Sequence, residues 1–110
     1  MRRFLEDVRR YDKRAEPDVV MGLARYLGGS LRAPDARYVA TSNRRELDAI
    51  RDKFLKRKLG LKARRAALDE ILDGVAEEMK AQRMKRRLTF YYLVAKKTDK
   101  LGLFNGKSRS

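Results

Sequence analysis

Eight consecutive uncharged residues, Leu88-Thr89-Phe90-Tyr91-Tyr92-Leu93-Val94-Ala95, stand in a chain of 110 residues of which 40% are charged. A run this apolar has to be covered, so it dictates what the remaining elements must do. Aromatic and β-branched residues favour a strand there by propensity. Leu88, Tyr91, Tyr92 and Ala95 nevertheless recur at i, i+3, i+4 and i+7, and no second strand is evident to pair with, so the spacing predicts a helix. Phe90, Leu93 and Val94 then point away from that stripe. A helix apolar all round is either central to its fold or covered by something else, which makes its spare face a candidate protein interface, a homodimer included.

The other apolar residues also fall at helical spacing. Phe4, Leu5, Val8 and Tyr11 predict a short amphipathic helix over 3–14. Pro17 and Asp18 suit a first turn, Val19, Val20, Leu23, Ala24 and Leu27 make one stripe, and Gly28-Gly29 stops it. Residues 30–42 read as a loop, with one helical turn near Asp35–Val39. Asn43, three residues before Glu46, forms a capping-box pattern for a helix with Leu47, Ile50 and Phe54 inward and Gly60 as its left-handed end. Leu68, Ile71, Leu72, Val75 and Met79 then define a helix over about 65–81, its opposite face acidic. Leu101, Leu103 and Phe104 are expected to dock the chain end, and 105–110 reads as a flexible basic tail. The fold class is therefore all-α: one domain over 1–104, a bundle of about five short helices. Its expected core is Leu23, Leu27, Leu47, Ile50, Phe54, Leu68, Ile71, Leu72, Val75, Leu88, Tyr91 and Tyr92.

There is no cysteine and no histidine. That excludes disulfides, Cys/His zinc sites, cysteine nucleophiles and schemes that need imidazole. No apolar run approaches a membrane span and nothing resembles a signal peptide, so the expected location is cytoplasmic. The apolar face of the first helix is too small for a membrane surface, Arg2, Arg3, Arg9 and Arg10 notwithstanding. Asp69, Asp73 and Glu77 share a helix face, but one face supplies too few oxygens for a hard cation, so no metal or cofactor is expected.

The charge is segregated. Lys and Arg number 29 against 15 acids, a net charge of +14. Residues 53–65 hold seven bases and no acid, residues 66–79 five acids and no base, and residues 80–110 ten bases and one acid. Two basic blocks thus flank one acidic helix.

The stretch from Val39 to Phe104 resembles a bacterial family, domain-of-unknown-function family 2853. The likeness is carried by Val39-Ala40-Thr41-Ser42, Glu46-Leu47, Ile50-Arg51, Phe54-Leu55, Lys58-Leu59-Gly60-Leu61, Thr89-Phe90-Tyr91-Tyr92-Leu93 and Lys100-Leu101-Gly102-Leu103-Phe104. Weaker similarity reaches back to about Pro17. The resemblance implies a compact all-helical domain and no assigned activity. It also implies a small polar or acidic start to the helix after Gly60-Leu61, where this chain has Lys62-Ala63-Arg64-Arg65. Positive charge there opposes the helix dipole, a local cost that an anionic partner, or the acidic helix itself, would offset.

No constellation of acids, lysines or tyrosines points to an enzyme. The candidate anion-binding residues are Arg51, Lys56, Arg57, Lys58, Lys62, Arg64, Arg65, Arg83, Lys85, Arg86 and Arg87, and the expected partner is nucleic acid or a nucleoprotein such as the ribosome. Arg51 and Lys58 lie at the edge of an apolar stripe, where long side chains run along the core with their heads in water. The competing reading is an acidic protein partner, or self-association through 88–95. Phe90, Tyr91 and Tyr92 read as core rather than as base-stacking residues.

Overall fold

The computed structural model describes residues 2–32 and 37–105. Among the described residues there are five α-helices: α1 (Arg2–Arg9), α2 (Pro17–Leu27), α3 (Arg44–Ile50), α4 (Arg65–Glu78) and α5 (Arg87–Lys97). Two-residue strands β1 (Tyr38–Val39) and β2 (Lys85–Arg86) pair antiparallel, Tyr38 opposite Arg86 and Val39 opposite Lys85. The all-α class therefore holds, with a small ladder added where a loop was expected. Residues 35 and 36 of the expected turn near Asp35–Val39 lie outside the described residues, and Tyr38–Val39 is extended rather than helical.

The end of α1 and the start of α3 follow from their local chemistry. α1 stops earlier than 3–14 because the chain turns after Arg9, whose guanidinium holds the turn by donating to the Ala15 carbonyl at 2.9 and 3.2 Å. Asn43 caps α3, its Oδ1 accepting from the amides of Arg45 (3.0 Å) and Glu46 (3.4 Å). The reciprocal half of the capping box does not form. Glu46 instead accepts from the Ala40 amide (3.3 Å) and pairs with Arg87.

Beyond Ile50 the helix does not end; it widens. Arg51–Lys58 is π-helical, and the Leu59 amide reaches the Phe54 carbonyl, five residues back, at 2.8 Å. At 3.6 residues per turn Leu59 would face opposite Ile50. A π turn of roughly 4.4 residues keeps Ile50, Phe54, Leu55 and Leu59 on one side. All four are buried. The helix ends at Gly60, whose φ of +71° a side chain would strain.

α5 is the centre of the molecule. Every residue from Leu88 to Ala95 is buried, and α1, α2, α4, both strands and the terminal turn Leu101–Phe104 pack around it. The spare face formed by Phe90 (0% exposed), Leu93 (3%) and Val94 (0%) lies inside the fold, so no apolar surface of this helix is left for self-association. Two of its hydroxyls are matched from the N-terminal segment: Thr89 donates to the buried Asp7, and Tyr92 to Asp12 at 2.6 Å. The expected core is buried except Ile71, which is half-buried. Phe104 docks as expected and Leu101 in part, whereas Leu103 stays 49% exposed; of the expected tail 105–110, residues 106–110 lie outside the described residues.

Candidate nucleic-acid interface

The first basic block occupies a helix end, a turn and a helix start. Lys56, Arg57 and Lys58 close the π segment, Lys62 lies beyond Gly60, Arg64 is the N-cap of α4 and Arg65 its first residue. The Leu61 amide donating to the Leu55 carbonyl (3.0 Å) folds this turn against the π segment. All six cations are exposed, as is Lys53, and none is in an ion pair among the described residues. The Arg64 side chain makes no capping hydrogen bond, so α4 begins with positive charge at the positive end of its dipole.

Two of the five acids of α4 are engaged elsewhere. Asp69 meets Arg51 (3.1 Å) and Arg44 (3.5 Å), and Glu77 meets Lys80 (2.7 Å). None of the five forms an ion pair with 56–65 among the described residues.

Arg51 is a correction. Its head is neither in water nor available to a ligand: it is 5% exposed and lies against Asp48 (2.9 Å), Asp52 (3.0 Å) and Asp69 (3.1 Å). The hydrogen bond to Asp52 is the main reason its guanidinium holds its proton more firmly than usual, against the opposing effect of burial. Asp48 in turn is held below the ordinary carboxylate range: desolvation works upward, and the hydrogen bond from Arg44 and the charge of Arg51 outweigh it. The π turn places Arg51 at the stripe edge, where its charge is met by the protein's own carboxylates.

Most of the second block is also used internally. Lys85 donates to the Gln82 carbonyl (2.9 Å), and Arg86 lies 3.8 Å from Asp7. Arg87 pairs with Glu46 and reaches the Tyr38 carbonyl and the Tyr91 hydroxyl, both at 3.4 Å. These contacts tie the ladder to α3 and α5. Arg83 remains exposed and, with Met84 and Lys85, lines an open cleft of about 840 Å³ beside β1, Thr41 and Ser42. No residue of 53–65 lines that cleft, so the two blocks serve different surfaces.

Lys58 leads to a group that sequence reasoning did not single out. Its Nζ lies 5.3 Å from the Tyr26 ring centroid and 5.6 Å from that of Phe104. Tyr26 packs at 5.7 Å on Phe54 and 6.0 Å on Phe104, yet remains 40% exposed. Burial raises its hydroxyl pKa, partly countered by the nearby charge of Arg57. Arg25, Tyr26, Lys58 and Leu103 line a shallow groove of about 330 Å³. The only hint in the sequence is an aromatic at the edge of the α2 stripe beside an arginine; Phe104, which completes the group, lies 78 residues further on. Phe90, Tyr91 and Tyr92 are buried, as expected of core residues.

Among the described residues no helix is long and apolar enough to cross a membrane. A family model described as "Protein of unknown function (DUF2853)" matches residues 3–102, reaching further towards the N-terminus than the motif blocks do. No curated protein matches the chain at a significant level.

Proposed function

The chain belongs to the DUF2853 family, and from that premise we propose that it is a small, basic, non-enzymatic binding protein of the cytoplasm that docks nucleic acid, free or within a nucleoprotein. The contact runs through Lys56, Arg57, Lys58, Lys62, Arg64 and Arg65, with Lys53 beside them and no readout of sequence. One observation carries this reading: these cations are exposed and unpaired among the described residues, while Arg44, Arg51, Lys80, Arg86 and Arg87 are matched by the protein's own carboxylates. Lysine and arginine met by phosphates release condensed counterions, a source of affinity that needs no shaped pocket. The uncapped start of α4 adds support, because a phosphate near Lys62, Arg64 and Arg65 would offset charge that the helix dipole opposes.

The test is a salt titration with labelled duplex DNA, single-stranded DNA and RNA. If about four phosphates engage, log K against log salt falls with a slope near −3.6 on duplex, about a hundredfold loss between 50 and 200 mM. Changing Lys62, Arg64 and Arg65 together to glutamate abolishes binding at near-physiological salt without unfolding the chain. A triple variant that binds as tightly as the wild type removes these residues from the interface. Binding that persists unchanged across salt overturns the reading, and so does no binding beyond that of any protein of this charge; the cations then serve solubility or an acidic protein partner.

A further inference from the structure

The Tyr26 group narrows the class of nucleic acid, an inference that rests on the reading just given. Its ring is supported from inside by Phe54 and Phe104, so it is held rather than free to swing. Outside it is 40% exposed, whereas Phe54, Tyr91, Tyr92 and Phe104 are buried. Two cations border it: Arg25 precedes it on α2 and lines the same groove, and Lys58 rests on its ring. Lys58 belongs to the unpaired basic stretch, so the ring sits at one end of that surface. A rigid, part-exposed aromatic bordered by cations is the arrangement on which a base can stack while its phosphates are neutralised. Bases within a duplex have both faces covered by neighbours, and a groove this shallow cannot extract one.

We propose that Tyr26, Arg25 and Lys58 form a single-strand site in which one unpaired base stacks on the Tyr26 ring and the flanking phosphates lie against the two cations. The Lys58 ammonium, which covers the ring in the free protein, moves from ring to phosphate as the base enters. The chain therefore prefers single-stranded to duplex nucleic acid of equal length, and the preference resides in Tyr26 rather than in Lys62, Arg64 and Arg65.

The experiment compares the full chain with Tyr26→Phe, Tyr26→Leu and Arg25→Ala, using a labelled oligothymidylate and a duplex of the same length at one salt concentration. Tyr26→Phe keeps the wild-type preference. Tyr26→Leu retains apolar bulk without a π-face and loses about tenfold on the single strand and nothing on the duplex. Arg25→Ala, which changes no buried residue, weakens single-strand binding only. A folded Tyr26→Leu variant with undiminished single-strand affinity overturns the stacking site, as does a wild type that binds duplex more tightly; both leave the polyanion surface standing. If Tyr26→Leu does not fold, Arg25→Ala decides: equal loss on both probes overturns the proposal. Absence of binding to either probe overturns this inference and the broader reading together.

Discussion

Alanine at Gly22 sets two quantities of opposite sign against each other. Gly22 lies inside α2, where alanine gains about 1 kcal/mol over glycine on helix propensity alone. A Cβ at this position would lie far inside van der Waals range of the Phe104 carbonyl oxygen, 2.9 Å from its carbonyl carbon and 3.1 Å from its Cβ. The closest of these atoms are backbone, so no side-chain rotation relieves the overlap. The available escape is for the turn Leu101–Phe104 to lift from α2, which returns Phe104, 6% exposed, to water. That burial is worth about 3 kcal/mol. Gly22→Ala is therefore destabilising by about 2 kcal/mol. Urea unfolding at 25 °C checks it: with a slope of about 2 kcal/mol/M the midpoint falls by about 1 M. In a Phe104→Ala background the turn has little left to lose, and Gly22→Ala then costs little or turns favourable. Higher stability of the single variant, or costs that simply add in the double variant, would refute the steric reasoning.

Arg51→Ala is expected to destabilise by about 2–3 kcal/mol, less than a fully buried pair because its carboxylates are part-exposed, while leaving polyanion affinity unchanged; urea melts and the salt titration read both. Asp69→Asn, which leaves Arg51 two other carboxylates, costs about 1 kcal/mol. Asn43→Ala removes the α3 cap and costs about 1 kcal/mol by the same urea assay. For Asp12, burial acts upward but is outweighed, chiefly by the hydrogen bond from Tyr92, so its carboxyl sits below the ordinary range. A depressed carboxyl contributes stability that is present above its unfolded pKa and lost as pH falls through the folded value. Stability therefore declines on acidification below about pH 4. Tyr92→Phe raises the Asp12 pKa in a carboxyl NMR titration, and an unchanged value would show that the hydroxyl does not hold it.

Much of this architecture is legible in the sequence, because period and capping chemistry are local. Leu88–Ala95 declares a helix buried on every side, and Asn43 and Gly60 mark helix ends by their side-chain chemistry alone. The π segment escapes a reading made at 3.6 residues per turn, which leaves Leu59 opposite Ile50; the spacing Ile50, Phe54-Leu55, Leu59 carries the wider period for a reader who tests it. The ladder of Tyr38–Val39 with Lys85–Arg86 is too short for any alternation to show. Charge is the least legible property. Arg51 and Lys58 look alike on a helical wheel, yet one is enclosed by three aspartates and the other rests on an exposed ring, because their partners come from distant parts of the chain.

The central position of α5 also sets the order of assembly. Helices that form early carry a stripe that a neighbour in sequence can cover. α5 has no such polarity: its eight buried residues need α1, α2 and α4 to arrive from three directions. During synthesis, α1, α2 and α4 leave the ribosome before the helix they pack upon, and their buried residues Val8, Val20, Leu23, Leu68 and Leu72 precede it. Cooperative folding therefore waits until residue 97 is clear of the ribosome, and the nascent chain passes through a stage of exposed apolar stripes joined to a strongly basic segment.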